Sequence, residues 1–148
     1  MSAPFAYVHR VRFEEVDAAG IVYFARFFSF CHDAMAAMLA PLEGGYEALI
    51  MKRRLGLPAV HVEADFSAPL RFGDEVQIAA VVERVRESSV ALRFDLERAP
   101  REDPAATEHV ATIRHIVALT NLAAMRAEPL PDDVRAAFDA YRVTPADS

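Results

Sequence analysis

The chain has 148 residues, 53% of them hydrophobic, one cysteine and a formal net charge of −6, a length that suits one domain, 1–148, around a single core. Its arginines are scattered among acids (RVRFEE, ERVRE, RFDLER), which speaks against a nucleic-acid partner, and no apolar run approaches the ~20 residues that cross a bilayer. The start, MSAPFAYVHRVRF, lacks the charged and apolar regions of a signal peptide and Cys31 stands alone, so a cytoplasmic protein without disulfides is expected, its surplus apolar surface taken up by self-association.

Phe5, Tyr7, His9, Val11 and Phe13 alternate with Ala6, Val8, Arg10, Arg12 and Glu14, the period-two pattern of a half-buried strand over 5–14. After the turn at D-A-A-G, residues Phe24, Phe27, Phe28, Cys31, Met35, Met38 and Leu39 recur at steps of three and four. This spacing predicts a largely buried helix over 22–39, stopped by Pro41. Tyr46 to Leu55 reads as a shorter helix ending at Gly56. From Ala59, the period changes to two: Val60, Val62, Ala64 and Phe66 face one way and His61, Glu63 and Asp65 the other, until Pro69 and Gly73-Asp74 turn the chain.

Further strands are expected over 76–86 and 90–97, then a polar loop, PREDPAAT, over 100–107. A last strand region spans His109 to Met125 and is near-continuously apolar over 116–119, which predicts a central position in the sheet. Pro129 and Pro131 open a short helix carrying Val134, Phe138 and Tyr141 on one side. Successive strands without intervening helices imply an antiparallel sheet. The expected class is therefore α+β, with a curved sheet packed on one long apolar helix.

Several chemistries are missing. There is no G-x-S-x-G, no G-x-x-x-x-G-K-[ST] and no G-x-G-x-x-G, and the five glycines are dispersed. The five histidines never pair at H-E-x-x-H spacing, so no metal is expected. His61 and His115, in strands with apolar neighbours, are the histidines best placed to act, or else they are hydrogen-bonded structural groups. His32 and Asp33, adjacent on a helix, point apart. Lys52-Arg53-Arg54 reads as a solvated helix end or as a spot for a small ligand's phosphate.

The stretch VDAAGIVYFARFF leaves one question open: Asp17 either hydrogen-bonds its own turn or aims a carboxylate at something bound at the helix tip. VRFEEVDAAGIVYFARFFSFCHDA resembles the hotdog-fold acyl-CoA thioesterases of the 4-hydroxybenzoyl-CoA thioesterase type, and most of all their 1,4-dihydroxy-2-naphthoyl-CoA hydrolase branch. LPAVHVEADFSAPLRFGDEV, ATIRHIVAL and EPLPDDV agree with later segments in order and spacing, so the resemblance covers nearly the whole chain. Where members of that family often carry Asp-Thr this chain has Glu15-Val16. Where many carry His, Asn and Tyr it has Phe24, Arg26 and Phe27.

The resemblance implies a hotdog fold and hydrolysis of an aromatic acyl-CoA, with no cofactor beyond the CoA of the substrate. It places the catalytic carboxylate at Asp17, as nucleophile or general base, and the oxyanion donor at the backbone N–H near Phe24. Tyr23, Phe24, Phe27 and Phe28 then bracket the acyl group, with His61 and His115 as candidates for its ring hydroxyls, or else Phe27 and Phe28 belong to the core alone. It also implies a homo-oligomer, dimer or tetramer, with the active site between subunits. The rival expectations are a thioesterase for aliphatic acyl-CoA or acyl-carrier protein, a non-catalytic acyl-CoA-binding module, and a dehydratase, which wants a histidine where Phe24 stands.

Overall fold

In the computed structural model, which describes residues 3–99, 103 and 105–143, the period-two stretches pair into one antiparallel sheet. Its strands are β1 (Phe5–Arg10), β3 (Ala59–Phe66), β4 (Glu75–Val85), β5 (Ser89–Ala99) and β6 (Glu108–Ala118), in the order β1-β4-β5-β6-β3. Two-residue strands β2 (Leu55–Gly56), β7 (Thr120–Asn121) and β8 (Arg126–Ala127) form a second, small sheet. The helices are α1 (Phe24–Met38), α2 (Gly45–Met51) and α3 (Asp132–Asp139).

Register sets one face of the large sheet. Phe5 lies opposite Ala80, Ala80 opposite Phe94, Phe94 opposite Ile113, and Ile113 opposite Ala64. Because side chains alternate along a strand, this row and its neighbours Val76, Ile78, Leu92, Leu96 and Val117 form the buried face. Phe27, Phe30, Cys31, Ala34, Met35 and Met38 of α1 recur at helical spacing and fill it, giving the expected α+β packing of one apolar helix against one curved sheet. In α3, Val134 and Phe138 close the far end of the core, and Tyr141 just beyond it meets Phe5 edge-on at 5.3 Å.

Three boundaries differ from the sequence pattern. The first strand stops at Arg10, and Phe13–Glu15 turns into a 3₁₀ helix that leaves Phe13 exposed. The short helix ends at Met51, and Leu55–Gly56 pairs as a strand. The left-handed residue there is Arg54 (φ 55°), while Gly56 serves packing, since a Cβ on it would meet Leu122 Cδ2 at 2.9 Å. The last strand region divides at Leu119 into β6 and β7. β6 is not the central strand expected: β5 takes the centre, and β6, paired by β5 on one side and edge strand β3 on the other, has the two paired sides that its apolar run requires. Of the polar loop over 100–107, residues 100–102 and 104 lie outside the described residues.

β3 closes one edge of the sheet and, apart from half-buried Ala64, stays exposed on both faces, with Val60, Val62 and Phe66 all open to solvent. Among the described residues no helix is long and apolar enough to cross a membrane.

Candidate active site at the tip of the long helix

Asp17 sits in a tight hairpin that leads directly into α1. Val16 and Val22 bridge its arms, Asp17 N–H donates to Ile21 C=O at 2.9 Å, and Gly20 N–H donates to Asp17 C=O at 2.9 Å. Gly20 has φ 82°, the left-handed conformation that closes such a turn and that a Cβ disfavours. Ala19 N–H donates to Asp17 Oδ1 at 2.8 Å. One carboxylate oxygen is thereby fixed by the turn, and the side chain as a whole stays exposed. Of the two readings of this aspartate, the bond to its own turn is the one seen, and it leaves the second carboxylate oxygen free of the turn.

The hairpin is held from outside as well. Val22 N–H donates to Leu70 C=O at 2.8 Å, and Ile21 bridges Arg71, so the segment after β3 grips the second arm. On the first arm, Glu15 is buried, and its Oε1 meets His9 Nε2 at 2.8 Å and accepts from Arg12 N–H at 2.7 Å. The His9 ring lies 4.3 Å from that of Phe30 in α1.

Helix α1 begins at Phe24 with extended Tyr23 (φ −77°, ψ 151°) as its N-cap, and no side chain caps it. Arg26 N–H is taken by Tyr23 C=O at 3.0 Å, while the N–H groups of Phe24 and Ala25 start the helix without a capping acceptor. Its first turn carries no acidic residue, so the positive end of the helix dipole is not neutralised within the helix.

A groove of ≈ 450 Å³ opens at this tip, lined by Asp17, Tyr23, Phe24 and Phe27 on one side and Phe66 and Pro69 on the other. Phe27 meets Phe66 edge-on, with ring centroids 5.1 Å apart, and Phe24 is 66% exposed. The groove therefore joins a carboxylate, the uncapped first residues of α1 and an aromatic wall. Four of the seven residues singled out from sequence meet here, and a fifth, Phe28, packs against the core instead, its ring 6.0 Å from that of His115.

The other two do not. His61 stands on the outer face of β3, exposed, with Nε2 3.0 Å from Glu63 Oε1, and that bond holds the Glu63 carboxyl below its ordinary range. His115 faces the core between Phe94 (5.3 Å) and Phe28 (6.0 Å), only 6% exposed, and its Nε2 has no hydrogen-bond partner among the described residues. Burial, and secondarily the charge of His32, push its pKa down to about 4. Within this chain, then, neither histidine lines the groove at Asp17.

Other reactive groups are accounted for by structure. Cys31 is buried and burial raises its thiol pKa, which keeps it from serving as a thiolate nucleophile. Arg53 forms a two-pronged pair with Asp133 at 2.7 and 3.1 Å. His32 meets the Tyr46 ring at 5.6 Å and is not brought to Asp17. Sequence reasoning missed Phe66 and Pro69 as groove walls and the His9–Glu15 contact. The one available signal was parity, since His9 shares its face with Tyr7 and Val11.

Residues 11–138 match the model of the thioesterase-like superfamily. A 1,4-dihydroxy-2-naphthoyl-CoA hydrolase from Picosynechococcus sp. is 32% identical over 116 residues, covering 76% of this chain and 77% of its own. Among solved structures, the dynemicin thioesterase superposes with a TM-score of 0.81 at 27% identity, over 95% of this chain and 99% of its own. A gentisyl-coenzyme A thioesterase superposes with a TM-score of 0.74 at 28% identity, over 90% and 98%.

Proposed function

The chain belongs to the thioesterase-like superfamily and has its hotdog fold, and from that premise we propose that it hydrolyses an aromatic acyl-CoA thioester to the free acid and CoA. The observation that carries the reading is the juxtaposition of Asp17 with the uncapped N-terminus of α1 in one aromatic-walled groove. The names of its relatives, a 1,4-dihydroxy-2-naphthoyl-CoA hydrolase and a gentisyl-coenzyme A thioesterase, support the aromatic substrate class.

In this mechanism the thioester carbonyl lies at the tip of α1. The Phe24 N–H donates to its oxygen, and the helix dipole favours the negative charge that develops there as the carbon becomes tetrahedral. Asp17 attacks the carbon to form an anhydride that water then opens, or it takes a proton from the attacking water. Both routes expel CoA thiolate and need no cofactor besides the CoA of the substrate. Tyr23, Phe24 and Phe27 supply flat walls for the acyl ring, and offset or edge-on stacking adds ~0.5 to 1.5 kcal/mol beyond area burial. His61 serves a ring hydroxyl only if a second subunit completes the pocket, which fits the homo-oligomer, dimer or tetramer, that the open edge of β3 favours, whereas His115 stays in the core. The enzyme works in the cytoplasm in this reading.

The test is thiol release from hydroxybenzoyl-CoA by the wild type and Asp17→Asn. The substitution keeps the shape and the acceptor for Ala19 N–H but removes the charge. A kcat loss of at least ~10³ with little change in KM is expected, at the upper end of what general-base work supplies. An Asn variant that keeps more than about a tenth of wild-type turnover would remove Asp17 from the chemistry.

A further inference from the structure

We infer that His9 and Glu15 form a positioning pair for Asp17, an inference that rests on the catalytic reading of Asp17 above. Between Val11 and Val22, both buried, the chain runs along the surface: Arg12, Phe13, Glu14 and residues 17–20 are exposed, and Val16 and Ile21 are half-buried. Glu15 is the one residue of 12–21 that is buried, and it is charged. Its side chain is 8% exposed and that of His9 is 10% exposed, an expensive place for a carboxylate unless the contacts repay its lost hydration.

Those contacts reach three elements. Glu15 Oε1 takes the imidazole of β1 and the N–H of Arg12 at the start of the 3₁₀ turn. Through the imidazole it also bears on Phe30 in α1, at 4.3 Å. Glu15 is thus tied to the strand before the hairpin and to the helix after it, while Asp17 lies two residues on. The second arm is already gripped by Leu70 and Arg71. The pair supplies the matching grip on the first arm. Neither His9 nor Glu15 lines the groove, so any influence on turnover passes through where Asp17 is held.

Displacement of a reacting group by about 1 Å is enough to cost ~10²-fold in rate. Glu15→Leu is therefore expected to lose ~10- to 10²-fold in kcat, with KM for hydroxybenzoyl-CoA within about twofold of wild type. Glu15→Gln keeps an oxygen for Arg12 N–H and His9 and is expected to retain most of the turnover. The decisive variant is His9→Leu with Glu15→Leu. With no charged group left buried and unpaired, it should regain the melting temperature that either single substitution loses. Its kcat should stay as low as that of Glu15→Leu, because the tie to Arg12 N–H is still missing.

Recovery of kcat together with stability in the double variant would overturn the inference and leave a purely structural contact. So would a Glu15→Leu variant with wild-type kcat, or one whose loss lies in KM alone. If Glu15→Leu does not fold, the double variant carries the test. Asp17→Asn in the same assay separates the layers: an active Asn variant removes the premise, whereas an inactive one beside a fully active Glu15→Leu removes only the positioning role.

Discussion

The residues at the helix tip were legible in the sequence because they are local. Asp17, Gly20, Tyr23 and Phe24 fall within eight positions, and turn chemistry plus helical spacing dictates how they meet. His115 was harder to read. Its parity with Ile113 and Val117 puts it on the buried face, but what surrounds it comes from α1 and β5, far along the chain. Its burial has a measurable consequence. The unfolded chain takes up a proton on this histidine below its ordinary pKa of 6.5, whereas the folded chain holds out until about 4. The unfolded state therefore binds more protons between those limits, and the contribution of this group, fully present above pH 6.5, is lost as pH falls through that window. Melting temperatures of wild type and His115→Leu across it should show a shallower acid decline in the variant. Equal slopes would mean that His115 titrates as it does in the unfolded chain.

At the scale of elements, existence and type of the long strands and helices followed from period, while the ends and the short elements Phe13–Glu15, β2 and β8 followed from packing. β5 reads as the clearest strand by alternation, and it is the central one, so both of its edges are paired and Phe94 is fully buried between its neighbours and α1. Phe94→Ala should cost ~3 to 5 kcal/mol of unfolding free energy, read as a lower urea midpoint. A loss below about 1 kcal/mol would show a core that collapses around the gap. The helix expected to reach Leu55 stops short because a left-handed residue, Arg54, redirects the chain so that Leu55–Gly56 can pair with β7. Pairing partners more than sixty residues away leave no local mark. For the same reason the groove walls at Phe66 and Pro69 were invisible until the strand they end was placed beside β6.

For the whole molecule, the pattern of β3 has a meaning that alternation alone could not give. Val60, Val62 and Phe66 look like core residues in sequence, yet they stay open to solvent in the single chain, on an edge strand with unpaired backbone groups. Such an edge invites pairing or covering. The wild type should scatter light as a dimer or larger assembly of the 16.4 kDa chain, and Val62→Lys should shift it toward the monomer with loss of turnover. Full activity at the monomer mass would refute an active site completed between subunits. Selection of the acyl group in the proposed function is also a property of the whole, because the groove is assembled from two separate stretches, residues 17–27 and 66–69. The most direct test of the account is thiol release by the wild-type protein across benzoyl-, hydroxybenzoyl-, dihydroxynaphthoyl- and C4 to C12 straight-chain CoA thioesters. Stacking against Tyr23, Phe24 or Phe27 together with better carbonyl alignment predicts a kcat/KM at least ~10-fold higher for a hydroxylated aryl thioester than for any alkyl one. Medium-chain thioesters that match or exceed every aryl substrate, or no thiol released from any of them, would contradict it.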